Sequence, residues 1–307
     1  MSIKAATTRL IGEFRARPTM RAGSLIITIF GDAIAPRGGT VWIGSLIRVL
    51  ADFGISERLV RTSVFRLTKD NWLEVNQVGR RSYYSLTTDG ARRFEQATQR
   101  IYGEPRQRWS GDWCLVLLAD LDTETKDVVR KELGWLGFGA ISANVLAHPS
   151  HSTGELERTL EGIGVDRDLV VMRGRTQGKN RDDAMRALVH KSWNLDDIDR
   201  RYEEFTARFR PVWRAIGKRS AADGHMAFQV RTLMIQEYRR ILLRDPLLPA
   251  ELLPSAWHGT AAYQLCRNLY RLIYAQADEF MSREFETADG PLPPPAPDFY
   301  TRFGGLA

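Results

Sequence analysis

The chain has 307 residues, 43% hydrophobic and 26% charged, a composition that excludes a disordered or fibrous protein and leaves room for two or three globular domains. The net charge of +7 is unevenly spread: residues 1–110 hold 18 Lys and Arg against 9 Asp and Glu, and the remainder 26 against 28, so the first third calls for a polyanionic partner. Two cysteines in apolar stretches (Cys114, Cys266), with no signal-like leader and no run near the ~18 apolar residues of a membrane span, fit a soluble cytoplasmic protein.

Residues 1–22 are polar and arginine-rich, with a breaker at Pro18, and read as a loosely ordered basic arm. Ser24 to Ile34 is β-branched enough for a strand, but its context favours a buried helix. After the Pro36-Arg37-Gly38-Gly39 loop, Thr40 is expected to cap a helix with Trp42, Leu46, Val49, Leu50 and Phe53 on one face, ended by Gly54. Only Gly54-Ile55 then separates it from Ser56, the spacing of a helix-turn-helix.

Ser56 to Trp72 is the most informative stretch. Ser56 suits an N-cap and Glu57 the positive end of the helix dipole. Val60, Val64 and Leu67 recur at i, i+4 and i+7 and face a core, whereas Arg58, Arg61, Thr62, Phe65, Arg66 and Lys69 fall opposite. Four cations without an acid between Arg58 and Lys69 form a phosphate-facing surface, whose N-terminal residues are placed to reach base edges. The segments 72–78 and 82–86 alternate as strands around Gly79-Arg80-Arg81, a hairpin with arginines at its tip. Helices followed by such a hairpin predict a winged helix-turn-helix over residues 23–103, with Ser56, Arg58, Arg61, Thr62, Arg66, Lys69, Arg80 and Arg81 on DNA.

From Gly111 the expected order is a strand over Trp113 to Leu121, a helix over Thr123 to Leu136, and a strand over Phe138 to Leu146. A short helix over Thr153 to Gly162 and a strand over Leu169 to Met172 complete a central ferredoxin-like α/β sandwich over residues 111–175. Asp120 alone is a weak metal ligand, and His148-Pro149-Ser150-His151 reads as a turn rather than a zinc site. Residues 174–181 form a basic, glycine-containing loop without the Gly-Lys-Ser/Thr ending of a phosphate-binding P-loop. Aromatics at helical spacing (Tyr202, Phe205, Phe209, Trp213; Tyr263, Tyr270, Tyr274) place a helical domain at 185–286. A Pro-rich tail, 287–307, is expected to be disordered or a docking strap. No catalytic constellation emerges, so the chain reads as a non-enzyme; the alternative is a metal-dependent nuclease using the central domain.

Phe30-Gly31-Asp32, Pro36-Arg37-Gly38-Gly39, the run Arg58 to Leu67 and Gly79 to Tyr84 closely resemble the PaaX family of transcriptional repressors of phenylacetic acid degradation. Arg244-Asp245-Pro246, Leu248-Pro249, Leu252-Leu253-Pro254, Trp257 and Gly259 resemble its C-terminal region, so the resemblance covers almost the whole chain. It implies an α+β multidomain protein: an N-terminal winged helix, a central domain similar to small CRISPR-adaptation proteins, and a helical C-terminal domain. It further implies a homodimer that binds a palindromic operator and is released by phenylacetyl-CoA, an effector rather than a cofactor. For that effector's phosphates the sequence offers Arg175, Lys179 and Arg181. No metal is implied.

Overall fold

The computed structural model describes residues 2–17, 22–104, 109–119, 121–149, 153–165, 169–176, 181–216 and 223–306, the side chains of Gln96, Thr153, Arg181 and Asp182 excepted. They form a mixed α+β chain of two compact units. The first comprises 1–104, 204–239 and 261–307; the second comprises 105–203 and 240–260.

Helix α1 (Ile3–Arg15) opens the chain where a loose arm was expected. The Ser2 hydroxyl accepts from the Ala5 amide at 3.2 Å, and Ile3, Ala6, Leu10 and Phe14 are buried. That apolar stripe was masked by the arginines and threonines between its members, and it is enough to dock the helix. Helix α2 (Ala22–Ile29) continues through a π-helical turn, Phe30–Ile34, into a 3-10 turn, Ala35–Arg37. Its β-branched residues remain helical because nearly all of them are buried in the helix-rich core of this unit.

Strand β1 (Thr40–Trp42) replaces the expected cap: Thr40 pairs with Ser85 in a sheet, and Trp42 stands at the N-cap of α3 (Ile43–Ala51). Helix α4 (Glu57–Lys69) follows, then β2 (Leu73–Val78) and β3 (Arg81–Leu86), giving an antiparallel sheet of order β1-β3-β2. Helix α5 (Thr88–Tyr102) is capped by Thr87, whose hydroxyl accepts from the Gly90 amide at 2.9 Å.

The second unit begins with β4 (Asp112–Leu117) and α6 (Thr123–Trp135), the latter capped by Asp122. The single strand expected over Phe138 to Leu146 is a hairpin instead. Strand β5 (Gly139–Ser142) turns at Ala143-Asn144 into β6 (Val145–Pro149), because the small polar residues between the apolar ones accommodate a turn. His148 and Pro149 are thus strand residues, Pro149 lying opposite Trp113, while Ser150 and His151 fall outside the described residues. Helix α7 (Thr153–Gly162), strand β7 (Val170–Arg175) and helix α8 (Arg181–Ser192) complete the run. All pairings are antiparallel, in the order β5-β6-β4-β7. Cys114, Val116 and Leu118 pack with Val129, Leu133, Leu156 and Leu160 on one face, and Trp113 and Ala147 with Val189 and Trp193 on the other.

Helices α9 (Leu195–Ile216), α10 (Gly224–Leu242) and α11 (His258–Glu284) supply the C-terminal helical region. A two-stranded ribbon, β8 (Glu286–Thr287) and β9 (Gly290–Pro291), leads to a 3-10 segment, Pro297–Gly304. Of the two readings of the tail, disorder is excluded for 287–306. The Leu292 amide donates to Phe285 O at 2.9 Å and the Ala296 amide to Pro36 O at 2.8 Å, and Phe299, Arg302, Phe303 and Leu306 are buried.

What holds the first unit together is Asp32, 4% exposed. Its Oδ2 accepts from Arg231 Nε at 2.7 Å, and its Oδ1 accepts from Tyr102 at 2.6 Å, Tyr270 at 2.9 Å and Arg302 at 3.0 Å. Arg231 also donates to Asp278 at 2.6 Å, and Arg37 pairs with Asp278 at 2.5 Å. The Phe299 ring lies 4.6–5.3 Å from all three guanidiniums. Burial alone would raise the Asp32 carboxyl, but the charges of Arg231 and Arg302 outweigh it and hold the group below the usual aspartate range. Burial pushes both tyrosines up, so they stay neutral donors.

Candidate nucleic-acid interface

Helix α4 is set by both of its ends. Gly54, at φ 76°, reverses the chain after α3, and the Ile55 amide returns to Leu50 O at 3.2 Å with its side chain buried. The connection is longer than two residues, since α3 ends at Ala51. Ser56 caps α4, its hydroxyl accepting from the Leu59 amide at 3.4 Å, as its place in the sequence required. At the far end Asn71 takes the left-handed conformation (φ 56°), its side chain donates to Asp89 at 2.8 Å, and Thr87 donates to Asn71 O at 2.7 Å. The helix therefore enters the hairpin at a fixed angle.

Val60, Ser63, Val64 and Leu67 are buried, and α4 packs on α2 and α3. Arg58, Arg61, Thr62, Phe65, Arg66 and Lys69 are all exposed, so the division of faces holds residue by residue. Some of these groups are engaged locally. Arg61 pairs with Glu57 one turn earlier at 2.8 Å, Thr62 donates to Arg58 O at 2.9 Å, and the Lys69 ammonium sits 5.0 Å from the Phe65 ring centre. An exposed i,i+4 pair is worth only ~0.3–0.5 kcal/mol, little enough for a phosphate to displace it.

The hairpin turns at Gly79-Arg80, with Gly79 at φ 59° as a tight two-residue turn requires. Arg80 is exposed at the tip. Arg81 is not equivalent to it. Its guanidinium stacks 4.3 Å from the Trp42 ring and donates to Glu286 at 2.8 Å. Arg48 approaches the same ring at 5.4 Å and donates to Glu284 O at 2.7 Å and to Glu286 at 3.3 Å. Trp42, Arg48 and Glu286 were missed in the sequence; pairing across some 200 positions leaves no local signal.

Of the three effector candidates, only Arg175 has a described side chain. Arg175 ends β7 and is held by the Asp112 carboxylate, whose hydrogen bond raises the guanidinium pKa. Lys179 lies outside the described residues, as does the side chain of Arg181, whose backbone starts α8. Asp120 also lies outside them. No helix among the described residues is long and apolar enough to cross a membrane.

The sequence matches the PaaX-like protein family over residues 21–90, the PaaX protein central Cas2-like domain over 106–186, and the PaaX-like protein C-terminal domain over 193–283. It is 40% identical over 286 residues to the transcriptional repressor PaaX of Escherichia coli K12, covering 92% of this chain and 90% of that one. Among solved structures, the uncharacterized protein Rv0674 from Mycobacterium tuberculosis shares the fold, with TM-score 0.50 and 22% identity over 77% of this chain and 89% of that one.

Proposed function

Because the chain belongs to the PaaX family, we propose that it is a DNA-binding transcriptional repressor of phenylacetic acid catabolism genes. The observation that carries this reading is the exposed cationic face of α4, capped at Ser56 and followed by a hairpin with Arg80 at its tip. On this reading residues 23–103 are a winged helix-turn-helix: α4 enters the major groove, with Ser56, Arg58, Arg61, Thr62, Arg66 and Lys69 toward bases and phosphates. Arg80 and Arg81 grip the adjacent backbone. The βαββαβ order of the second unit supports a ferredoxin-like central domain.

The repressor acts as a cytoplasmic homodimer whose two α4 helices lie one DNA turn apart, ~34 Å, on a palindrome. Phenylacetyl-CoA releases it by binding preferentially to the conformation in which that spacing is lost. Footprinting the protein on DNA upstream of its neighbouring genes, with and without phenylacetyl-CoA, tests this reading. A protected palindrome that disappears with the ligand is expected; protection without sequence preference overturns the repressor assignment, and protection indifferent to the ligand overturns the effector.

A further inference from the structure

Phe65 is 59% exposed in the middle of α4. An aromatic ring left in water forgoes the burial that Val60, Val64 and Leu67 of the same helix obtain, so the fold does not explain it. Its position is specific. Arg58, Thr62, Phe65 and Lys69 follow at i, i+4, i+7 and i+11, one stripe down the outward face, with Arg61 and Arg66 on either side. The Lys69 ammonium, 5.0 Å from the ring centre, attracts one face of the ring toward the helix surface and leaves the rest open.

In the major groove the base edges present donors, acceptors and a single apolar group, the thymine 5-methyl, and phenylalanine is one of the side chains that contacts it. We propose that Phe65 is a specificity-determining residue that reads thymine: its ring covers a thymine methyl while the flanking cations hold phosphates and guanine edges. The assignment rests on α4 being the DNA-reading helix and adds what part of its sequence preference must be. A ring among cations discriminates thymine from cytosine by shape and apolarity, where the arginines discriminate by hydrogen bonding.

The test uses the full-length protein. Duplexes are selected from a random-sequence pool, and in the recovered duplex each thymine is replaced in turn by uracil, which removes the methyl and leaves pairing and every donor and acceptor intact. At one or more positions per half-site the wild-type protein should bind about 4-fold more weakly, the transfer value of one buried methyl. Phe65→Ala should bind the thymine and uracil duplexes alike, and Phe65→Leu should retain part of the difference. Unchanged thermal melting of both variants is expected from so exposed a position. Wild-type binding that ignores every uracil substitution overturns the proposal, as does a loss of the same size in Phe65→Ala. If no sequence is enriched from the pool, α4 does not read DNA and the role of Phe65 falls with it; enrichment with indifference to uracil removes Phe65 alone.

Discussion

Glu286 Oε2 lies 2.8 Å from Arg81 Nη1, an ion pair joining the hairpin to a residue 205 positions later in the chain. Of the two hairpin arginines only Arg80 is therefore immediately available to a phosphate. Glu286→Gln removes the competing carboxylate from both Arg81 and Arg48. Affinity for operator and random duplex should rise together, and the slope of log K against log salt should steepen by roughly 0.9 for each further phosphate neutralised. Binding titrations between 50 and 200 mM salt, about the range where such slopes are resolved, give the answer. An unchanged slope would mean that Arg81 does not reach DNA.

Arg80→Ala acts in the opposite sense. It should weaken binding to all sequences alike and lower the salt slope by roughly 0.9. Loss of sequence preference in this variant would move Arg80 from backbone grip to base reading.

Arg61→Ala and Arg66→Ala should each cost specific binding about 1–3 kcal/mol, roughly 5- to 150-fold, with far less effect on random duplex. Both side chains are exposed, so melting should shift by no more than ~0.5 kcal/mol of stability. Gel-shift affinities for both duplexes, with a melting curve, separate the two effects; retained specificity in both variants would unseat α4 as the reader.

Asp32→Asn takes the carboxylate away from buried Arg302, leaves Arg231 with Asp278, and should cost about 3–5 kcal/mol in urea unfolding. Asp32 also predicts an acid limit. Its pKa is lower in the folded protein than unfolded, so the folded state gains from its ionisation. That contribution is complete above the ordinary aspartate value of ~3.9 and is lost as pH falls through the lower folded value. In the Asn variant this part of the acid sensitivity should vanish; an identical acid transition in both proteins would show that Asp32 does not set it.

Phe299→Ala empties the space among the three guanidiniums and should cost about 3–5 kcal/mol, read as a lowered urea midpoint. A cost below ~1 kcal/mol would mean that the tail is not part of the folding unit.

The helix that carries the site was legible because its signals are local: a capping serine stands next to a 13-residue helix that holds both the apolar residues at helical spacing and the cations between them. The family resemblance was legible for a different reason: its motifs are short local runs, and although they include Asp32 and Arg37 they hold none of the tyrosines, and neither of the other arginines, of the network those two residues join. Three features were not legible. The stripe of α1 is diluted by polar residues, and the break between β5 and β6 depends on two small residues inside an apolar run. The proline-rich tail has the composition of a linker, yet Phe299, Arg302 and Phe303 bury it. For the tail what decides is a set of partners far away in sequence, and local propensity cannot register that.

The second arginine on Asp32 comes from position 302. During synthesis helix α4 leaves the ribosome more than two hundred residues before that arginine, at roughly 5–20 residues per second. For about 15–50 s after its own synthesis the Asp32 carboxylate waits for the last of its partners. A message cut short near its 3′ end thus yields a chain that carries every residue proposed to contact DNA but lacks a completed core. Such a product is a substrate for quality control before it is a competitor for the operator.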